Sequence, residues 1–292
     1  MEFTEYLKIH SPVMLDGAMG TLLDERGYAL PAPVWSAKVL EEQPEVITGI
    51  HREYLEAGAE LLTTVTFRTT KYVYEQVGKP GLAMELNYRA VQCASDAIGG
   101  NPDRFIAGSI APVADCYRPD LVPEHDILYD EHFQQATWLA DAGVDCLLFE
   151  TMNTIREAEI CGKVGTEIGI PFFVSLIAQS GDELPSGEPI RKALDAVAGY
   201  DPTGVLINCT SPEIITSVLD QHAGSISMPA GGYANMGVSE PEQGGAIEEV
   251  WSPADYVNEV AKWPKDNLVL IGGCCGSDPE HVLALAKYRG KE

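Results

Sequence analysis

With 292 residues and 45% hydrophobic content, the chain can bury one sizeable core, and no run of eighteen apolar residues marks a membrane span. Its 19 Lys and Arg against 44 Asp and Glu leave a formal charge of −25, a field that repels phosphate backbones and anionic lipid and argues against nucleic-acid and membrane-surface roles. The opening MEFTEYLKIH has acids and no apolar stretch, unlike a signal peptide, and seven cysteines without a secretory signal imply a cytoplasmic, reducing compartment where thiols stay free.

In chain order, short apolar runs rich in β-branched residues alternate with longer segments of helical period. PVMLDG (Pro12 to Gly17) is the first expected strand, followed by the amphipathic stretch PEVITGIHREYLEAG (Pro44 to Gly58). LLTTVTF (Leu61 to Phe67) and FIAGSI (Phe105 to Ile110) come next. VADCYRPDLVPEHD (Val113 to Asp126) then breaks the alternation with two prolines and mixed charge, and reads as a long loop. The helical stretch DEHFQQATWLADAG (Asp130 to Gly143) leads into the strand DCLLFET (Asp145 to Thr151). The remaining expected strands are FFVSLIA (Phe172 to Ala178), GVLINCT (Gly204 to Thr210), SISMPAGGY (Ser225 to Tyr233) and LVLIGGC (Leu268 to Cys274). Near-continuous hydrophobicity suits strands buried on both faces, as in a parallel sheet, and several helices end on glycine. Eight such units with no boundary rich in Pro, Gly or Ser predict one domain over 1–292, a single (β/α)8 TIM barrel.

Chemistry concentrates at the C-terminal strand ends, where barrels carry their sites. GGCCG (Gly272 to Gly276) closes the eighth strand, and Cys274 and Cys275 are too close in sequence to bridge each other without strain. The backbone must turn sharply for both to reach one ion, and Gly272, Gly273 and Gly276 are read as the source of that freedom. Cys209 stands at the matching end of the sixth strand. A lone cysteine is usually a small buried hydrophobe, but three at strand ends describe a catalytic zinc site of three thiolates with an open fourth position. Cys93, Cys116, Cys146 and Cys161 show no such clustering and are read as core or incidental.

These stretches also carry a resemblance. LDGAMGTLL, WSAKVL, HREYLEAGAELLTT, FETMNTIREAE, INCT and IGGCCGSDPEHV together resemble the homocysteine S-methyltransferase family over nearly the whole chain. The resemblance implies an enzyme with Zn2+ held by Cys209, Cys274 and Cys275, the homocysteine thiolate as exchangeable fourth ligand, and methionine as product. It places the amino group of homocysteine on Asp16 and Glu150, at the ends of the first and fourth strands, and the carboxylate on Gly17 and the amides after it. The alternative for Asp16 is a turn or helix-capping acid. Asn208 is read either as orienting the metal shell or substrate or as a turn residue, and Asn235 as a residue that meets the zinc when substrate is absent.

For the methyl donor, WSAKVL and SGDELPSGEPIRKAL most resemble the branch that uses S-methylmethionine or S-adenosylmethionine, and no cobalamin or folate module is evident. A small diffusing sulfonium is therefore expected, its cation facing Trp35 and Tyr117. Betaine, dimethylsulfoniopropionate or a separate methyl-corrinoid partner remain alternatives, as does a non-catalytic zinc- or thiol-binding barrel. Arg68 and Arg118 depart from the family pattern; Arg118 reads as a surface cation, and Arg68, if it faces the mouth, as a grip for a donor carboxylate. A homo-oligomer is left open.

Overall fold

Eight parallel strands hydrogen-bond in the order β1-β8-β7-β6-β5-β4-β3-β2 in a computed structural model that describes residues 1–222, 224, 228–237 and 251–290. They are β1 (Val13–Met14), β2 (Leu61–Thr63), β3 (Phe105–Ile110), β4 (Cys146–Met152), β5 (Phe172–Ile177), β6 (Gly204–Asn208), β7 (Ala230–Ala234) and β8 (Leu268–Gly273). The ring closes between β1 and β2 through a parallel bridge, Leu15 to Leu61, with the Asp16 amide donating to the Leu61 carbonyl at 3.1 Å. This is the expected (β/α)8 barrel. Among the described residues, no helix is long and apolar enough to cross a membrane.

The helices are α1 (Phe3–His10), α2 (Met19–Glu25), α3 (Ala37–Glu42), α4 (Pro44–Ala57), α5 (Lys71–Gln76), α6 (Leu82–Ile98), α7 (His125–Ala142), α8 (Ile155–Ile168), α9 (Ile190–Ala198), α10 (Pro212–His222), α11 (Pro253–Val260) and α12 (Pro279–Arg289). α4, α6, α7 and α8 each stop on a glycine in the left-handed conformation, as the sequence leads one to expect.

Period-two alternation sorts the side chains of each strand. On β4, Leu147 and Phe149 join the apolar layer between sheet and helices, whereas Cys146 and Leu148 fill the barrel interior and Glu150 tops them. Phe105 and Ala107 on β3, Phe173 on β5, Leu206 on β6 and Leu270 on β8 complete that inner core. α1, which periodicity did not reveal, plugs the bottom: Phe3 and Tyr6 pack on Phe105 with ring centroids 5.1 and 5.0 Å away. Among the described residues the lower barrel is therefore filled, and the hollow lies at the C-terminal end of the strands.

Several boundaries differ from the sequence reading. β2 stops at Thr63 rather than Phe67, because the Thr64 hydroxyl replaces the next rung by accepting from the Ser109 amide at 2.9 Å, and the chain then turns away. α7 starts at His125, so the long loop is two residues shorter than expected. β7 spans Ala230–Ala234, and residues 225–227 of the expected strand lie outside the described residues.

Candidate metal and substrate site

A cavity of about 230 Å³ opens at the C-terminal end of the barrel, and Asp16, Gly17, Glu150, Cys209, Cys274 and Cys275 all line it. The three thiol sulfurs lie within 4.8 Å of one another. Cys209 follows β6 with φ of 56°, a left-handed conformation that costs a non-glycine residue free energy and aims the side chain into the cavity. Cys274 and Cys275 follow β8. The Cys274 amide donates to the Ala234 carbonyl at 2.8 Å, and the Cys275 carbonyl accepts from the Met236 amide at 2.7 Å, so the last residue of β7 and the segment just after it anchor both sides of the turn.

Of the glycines read as hinges, only Gly276 has a positive φ, 79°. Gly272 and Gly273 are required for closeness instead, since a Cβ on them would stand 2.6 Å from Leu15 Cβ and 2.2 Å from Ser277 Oγ. Hydrogen bonds from the Cys274 and Cys275 thiols, then from Tyr117 and Asn235, hold the Cys209 thiol well below its ordinary range. Three soft sulfurs converging from two strand ends match a divalent zinc-type ion with one position left for substrate, so the donor set fits the implied group.

Two carboxyl groups face the sulfurs. Asp16 Oδ2 accepts from the Thr63 amide at 2.9 Å and Oδ1 from the Thr63 hydroxyl at 2.8 Å. Glu150 accepts from the Ser109 hydroxyl and, at 3.2 Å, from the Tyr233 phenol. Burial pushes both carboxyls up to about 7, with the Glu150 charge adding to the effect on Asp16 and the Cys209 charge to that on Glu150. Among the described residues, no Lys or Arg lines the cavity to offset them. Behind Asp16 stands His51 of α4, its Nδ1 3.9 Å from Oδ2; it is fully buried, and burial pushes it down to about 4, so it is neutral.

Gly17 lines the cavity, and the position calls for glycine because a Cβ there would meet Ser277 Oγ and Tyr54 Cε1 at 2.8 Å. The next amide, Ala18, already donates to Ser277 Oγ at 3.0 Å, while that hydroxyl donates to the Cys274 carbonyl at 2.7 Å. Ser277 thus locks the first-strand turn to the cysteine turn. Asn208 lies behind the cavity wall. Its Oδ1 accepts from the Thr151 amide (3.0 Å) and the Ser175 hydroxyl (2.6 Å), and its Nδ2 donates to Thr151 Oγ1 (2.9 Å). This clasp holds Thr151 at φ 67°, just after Glu150. Asn235 Oδ1 accepts from the Cys275 amide at 3.1 Å, which leaves its NH2 toward Cys209.

Three residues change meaning in the structure. Cys116, read as core or incidental, lines the cavity, because the loop after β3 folds over the mouth. Tyr117 lies beside it with Oη 3.2 Å from Cys209 Sγ, so it contacts a thiol rather than standing as an aromatic face alone. Arg68 does not line the cavity: its guanidinium stacks 4.4 Å from the Trp35 ring centroid and donates to the Ala114 carbonyl at 2.9 Å. It supports the aromatic wall from behind. Arg118 pairs with Asp120 on the surface. Cys93, Cys146 and Cys161 are buried away from the cavity, and His281 caps α12 together with Asp278.

Residues 13–289 match the family model described as homocysteine S-methyltransferase. The homocysteine S-methyltransferase of Escherichia coli K12 is 30% identical, over 94% of each chain. The selenocysteine Se-methyltransferase of Brassica oleracea var. italica is 29% identical over 94% of this chain and 88% of its own. The metallated form of the E. coli homocysteine methyltransferase MmuM superposes with a TM-score of 0.84 at 28% identity, covering 97% of this chain and 98% of that one.

Proposed function

Since the chain belongs to the homocysteine S-methyltransferase family, we propose that it moves a methyl group from a small donor to the sulfur of homocysteine, giving methionine, with zinc held by Cys209, Cys274 and Cys275. The carrying observation is one cavity that joins three clustered thiols to two buried carboxyls that have, among the described residues, no Lys or Arg beside them. When bound, zinc supplies a means of keeping the acceptor sulfur deprotonated at neutral pH, where a free thiol of pKa about 8.5 is mostly protonated.

The rest is done by the chain. Asp16 and Glu150 receive the ammonium group of homocysteine, which supplies the counter-charge that both carboxyls lack and returns them to the ionised form. Thr63, Ser109 and Tyr233 fix the carboxylate oxygens, so the amino acid is held in one orientation with its sulfur toward the cysteines. Gly17 lets the first-strand turn pack closely on Ser277 and Tyr54, which fixes the backbone that borders the carboxylate of the substrate. The filled barrel beneath excludes water from below, and Trp35 and Tyr117 line the side from which a donor enters. We take the whole chain as a single substrate-binding domain, working in the cytoplasm. The resemblance of WSAKVL and SGDELPSGEPIRKAL supports a sulfonium donor, S-methylmethionine or S-adenosylmethionine.

The test is methionine formation from homocysteine with S-methylmethionine, S-adenosylmethionine, betaine, dimethylsulfoniopropionate and methyl-corrinoid offered separately, alongside metal analysis of the purified protein. About one zinc per chain and turnover with a sulfonium are expected. Turnover with the corrinoid alone would make the protein one component of a larger system, and binding without turnover by any donor would favour a non-catalytic barrel. Selenocysteine belongs in the acceptor panel, given the Brassica relative.

A further inference from the structure

The loop after β3 is held by an unusual density of buried polar groups. The Val113 amide donates to Glu157 Oε1 at 3.0 Å, and the same oxygen lies 3.0 Å from His132 Nε2. Arg68 holds the Ala114 carbonyl at 2.9 Å, and Asn153 Nδ2 donates to the Cys116 carbonyl at 2.8 Å. The Tyr117 amide donates to Asp115 Oδ1 at 2.9 Å. Glu157, His132, Asn153 and Arg68 are all buried, and burying such groups is costly unless they are hydrogen-bonded, so their bonds to the loop fix its course. What they place is the Tyr117 hydroxyl, 3.2 Å from Cys209 Sγ.

Sulfurs that hold a metal carry no proton, so in the loaded protein the phenol is the donor and Cys209 the acceptor. A methyl-transfer pocket with three metal-holding sulfurs has a problem of choice, because each is itself a nucleophile toward the donor. The unwanted step is simple. The Cys209 sulfur forms an S–CH3 bond as the CH3–S bond of the sulfonium breaks, and the neutral thioether leaves with the electron pair. Negative and positive charge cancel, and no proton moves. A hydrogen bond to the sulfur draws down the lone-pair density that this attack needs.

We propose that Tyr117 protects Cys209 from methylation, leaving the sulfur of homocysteine as the preferred acceptor. Tyr117 acts through Cys209 and is a positioning residue. The proposal rests on the reading of Cys209 as a metal-holding sulfur in a methyl-transfer pocket.

The experiment compares zinc-loaded wild type with Tyr117→Phe, both treated with iodomethane in the absence of homocysteine. Methylation at Cys209, Cys274 and Cys275 is followed by peptide mass spectrometry, and zinc release in parallel. Iodomethane needs no donor site, so the outcome is independent of which donor the enzyme uses. Methylation of Cys209 should rise at least about tenfold in Tyr117→Phe, with Cys274 and Cys275 unchanged and zinc lost in step. Cys116→Ala, which widens the cavity but leaves the hydrogen bond, should not alter the Cys209 rate. Equal Cys209 rates in wild type and Tyr117→Phe, or a common rise at all three sulfurs, overturns the proposal. Wild type provides a second reading that needs no variant: on long exposure methyl should appear on Cys274 and Cys275 before Cys209, and the reverse order overturns it. Failure of the underlying reading shows itself differently, as wild-type protein that carries no zinc or makes no methionine with any donor.

Discussion

The two ends of the barrel treat a buried carboxylate in opposite ways. At the closed end, Glu60 receives both guanidinium nitrogens of Arg289, the Tyr6 phenol at 2.9 Å and the Met14 amide at 3.0 Å. Burial alone would push its carboxyl up, but Arg289 above all holds it below the usual range. At the open end, Asp16 and Glu150 have hydroxyl and amide donors but, among the described residues, no cation, and both are pushed up to about 7. A fold that completes its ion pair at one end and leaves two acids uncompensated at the other separates stability from binding. The lower end spends its charges on holding β1, β2 and α12 together, and the upper end keeps its acids for a cationic ligand.

The largest expected effect breaks the comparison at the mouth. Cys274→Ser combined with Cys275→Ser should abolish metal binding and methyl transfer while circular dichroism and melting temperature of the metal-free protein stay close to wild type, because the core lies below. Zinc retained at full occupancy would sink the metal assignment. At the other end, Arg289→Met leaves Glu60 buried without its cation and should destabilise the protein by about 3 kcal/mol, read by urea denaturation, with the specific activity of the folded fraction unchanged. An equal loss of activity per folded molecule would show that the two ends are not separable.

Asp16→Asn and Glu150→Gln sharpen the comparison. Each removes a charge-assisted contact to the ammonium group and should weaken homocysteine binding by about 1.5–3 kcal/mol, measured by calorimetry on the metal-loaded protein. Stability should change by less than about 1 kcal/mol, since the amide oxygen of each isostere still accepts one of the two bonds and its NH2 can donate to the hydroxyl that made the other. Unchanged affinity in both would move the amino-acid site elsewhere.

The smallest effect is on pH dependence. Asp16 and Glu150 have folded values raised above their unfolded ones, so their contribution to stability is fully present below the unfolded value and is lost as pH rises through about 7. Glu60, held low, contributes above its unfolded value and loses that contribution as pH falls through the folded one. Homocysteine affinity should therefore drop as pH falls below about 7, while denaturation midpoints shift modestly in the opposite sense over the same range. Asp16→Asn should flatten part of both curves. The groups facing Asp16 are Glu150 and neutral His51, and those facing Glu150 are Tyr233 and Cys209, so among the described residues no Lys or Arg complicates the sign.

Much of this was legible in one dimension. Alternating apolar runs and helical stretches are a direct consequence of burying parallel strands under helices, and a barrel sends its C-terminal strand ends to one mouth. Asp16, Glu150, Cys209, Cys274 and Cys275 could be assigned to a common site for that reason, before any contact was known. What period-two and period-3.6 patterns cannot carry is which distant side chain meets which. Thr63, Ser109 and Tyr233 are ordinary strand residues until the register of β2, β3 and β7 sets them against the two acids. Gly272 and Gly273 look like hinges in sequence, and only the packing of β8 on Leu15 and Ser277 shows that they are there for closeness. Arg68 turned behind Trp35 instead of into the mouth, and Cys116 and Tyr117 turned into it, because the loop after β3 takes its course from Glu157, Asn153 and Arg68 on other units. Local sequence determines elements and their ends, since those depend on nearest neighbours along the chain. The hydrogen-bond partners of the acids, the hydroxyl on Cys209 and the plug formed by α1 depend on contacts across the barrel, which exist only once the ring has closed.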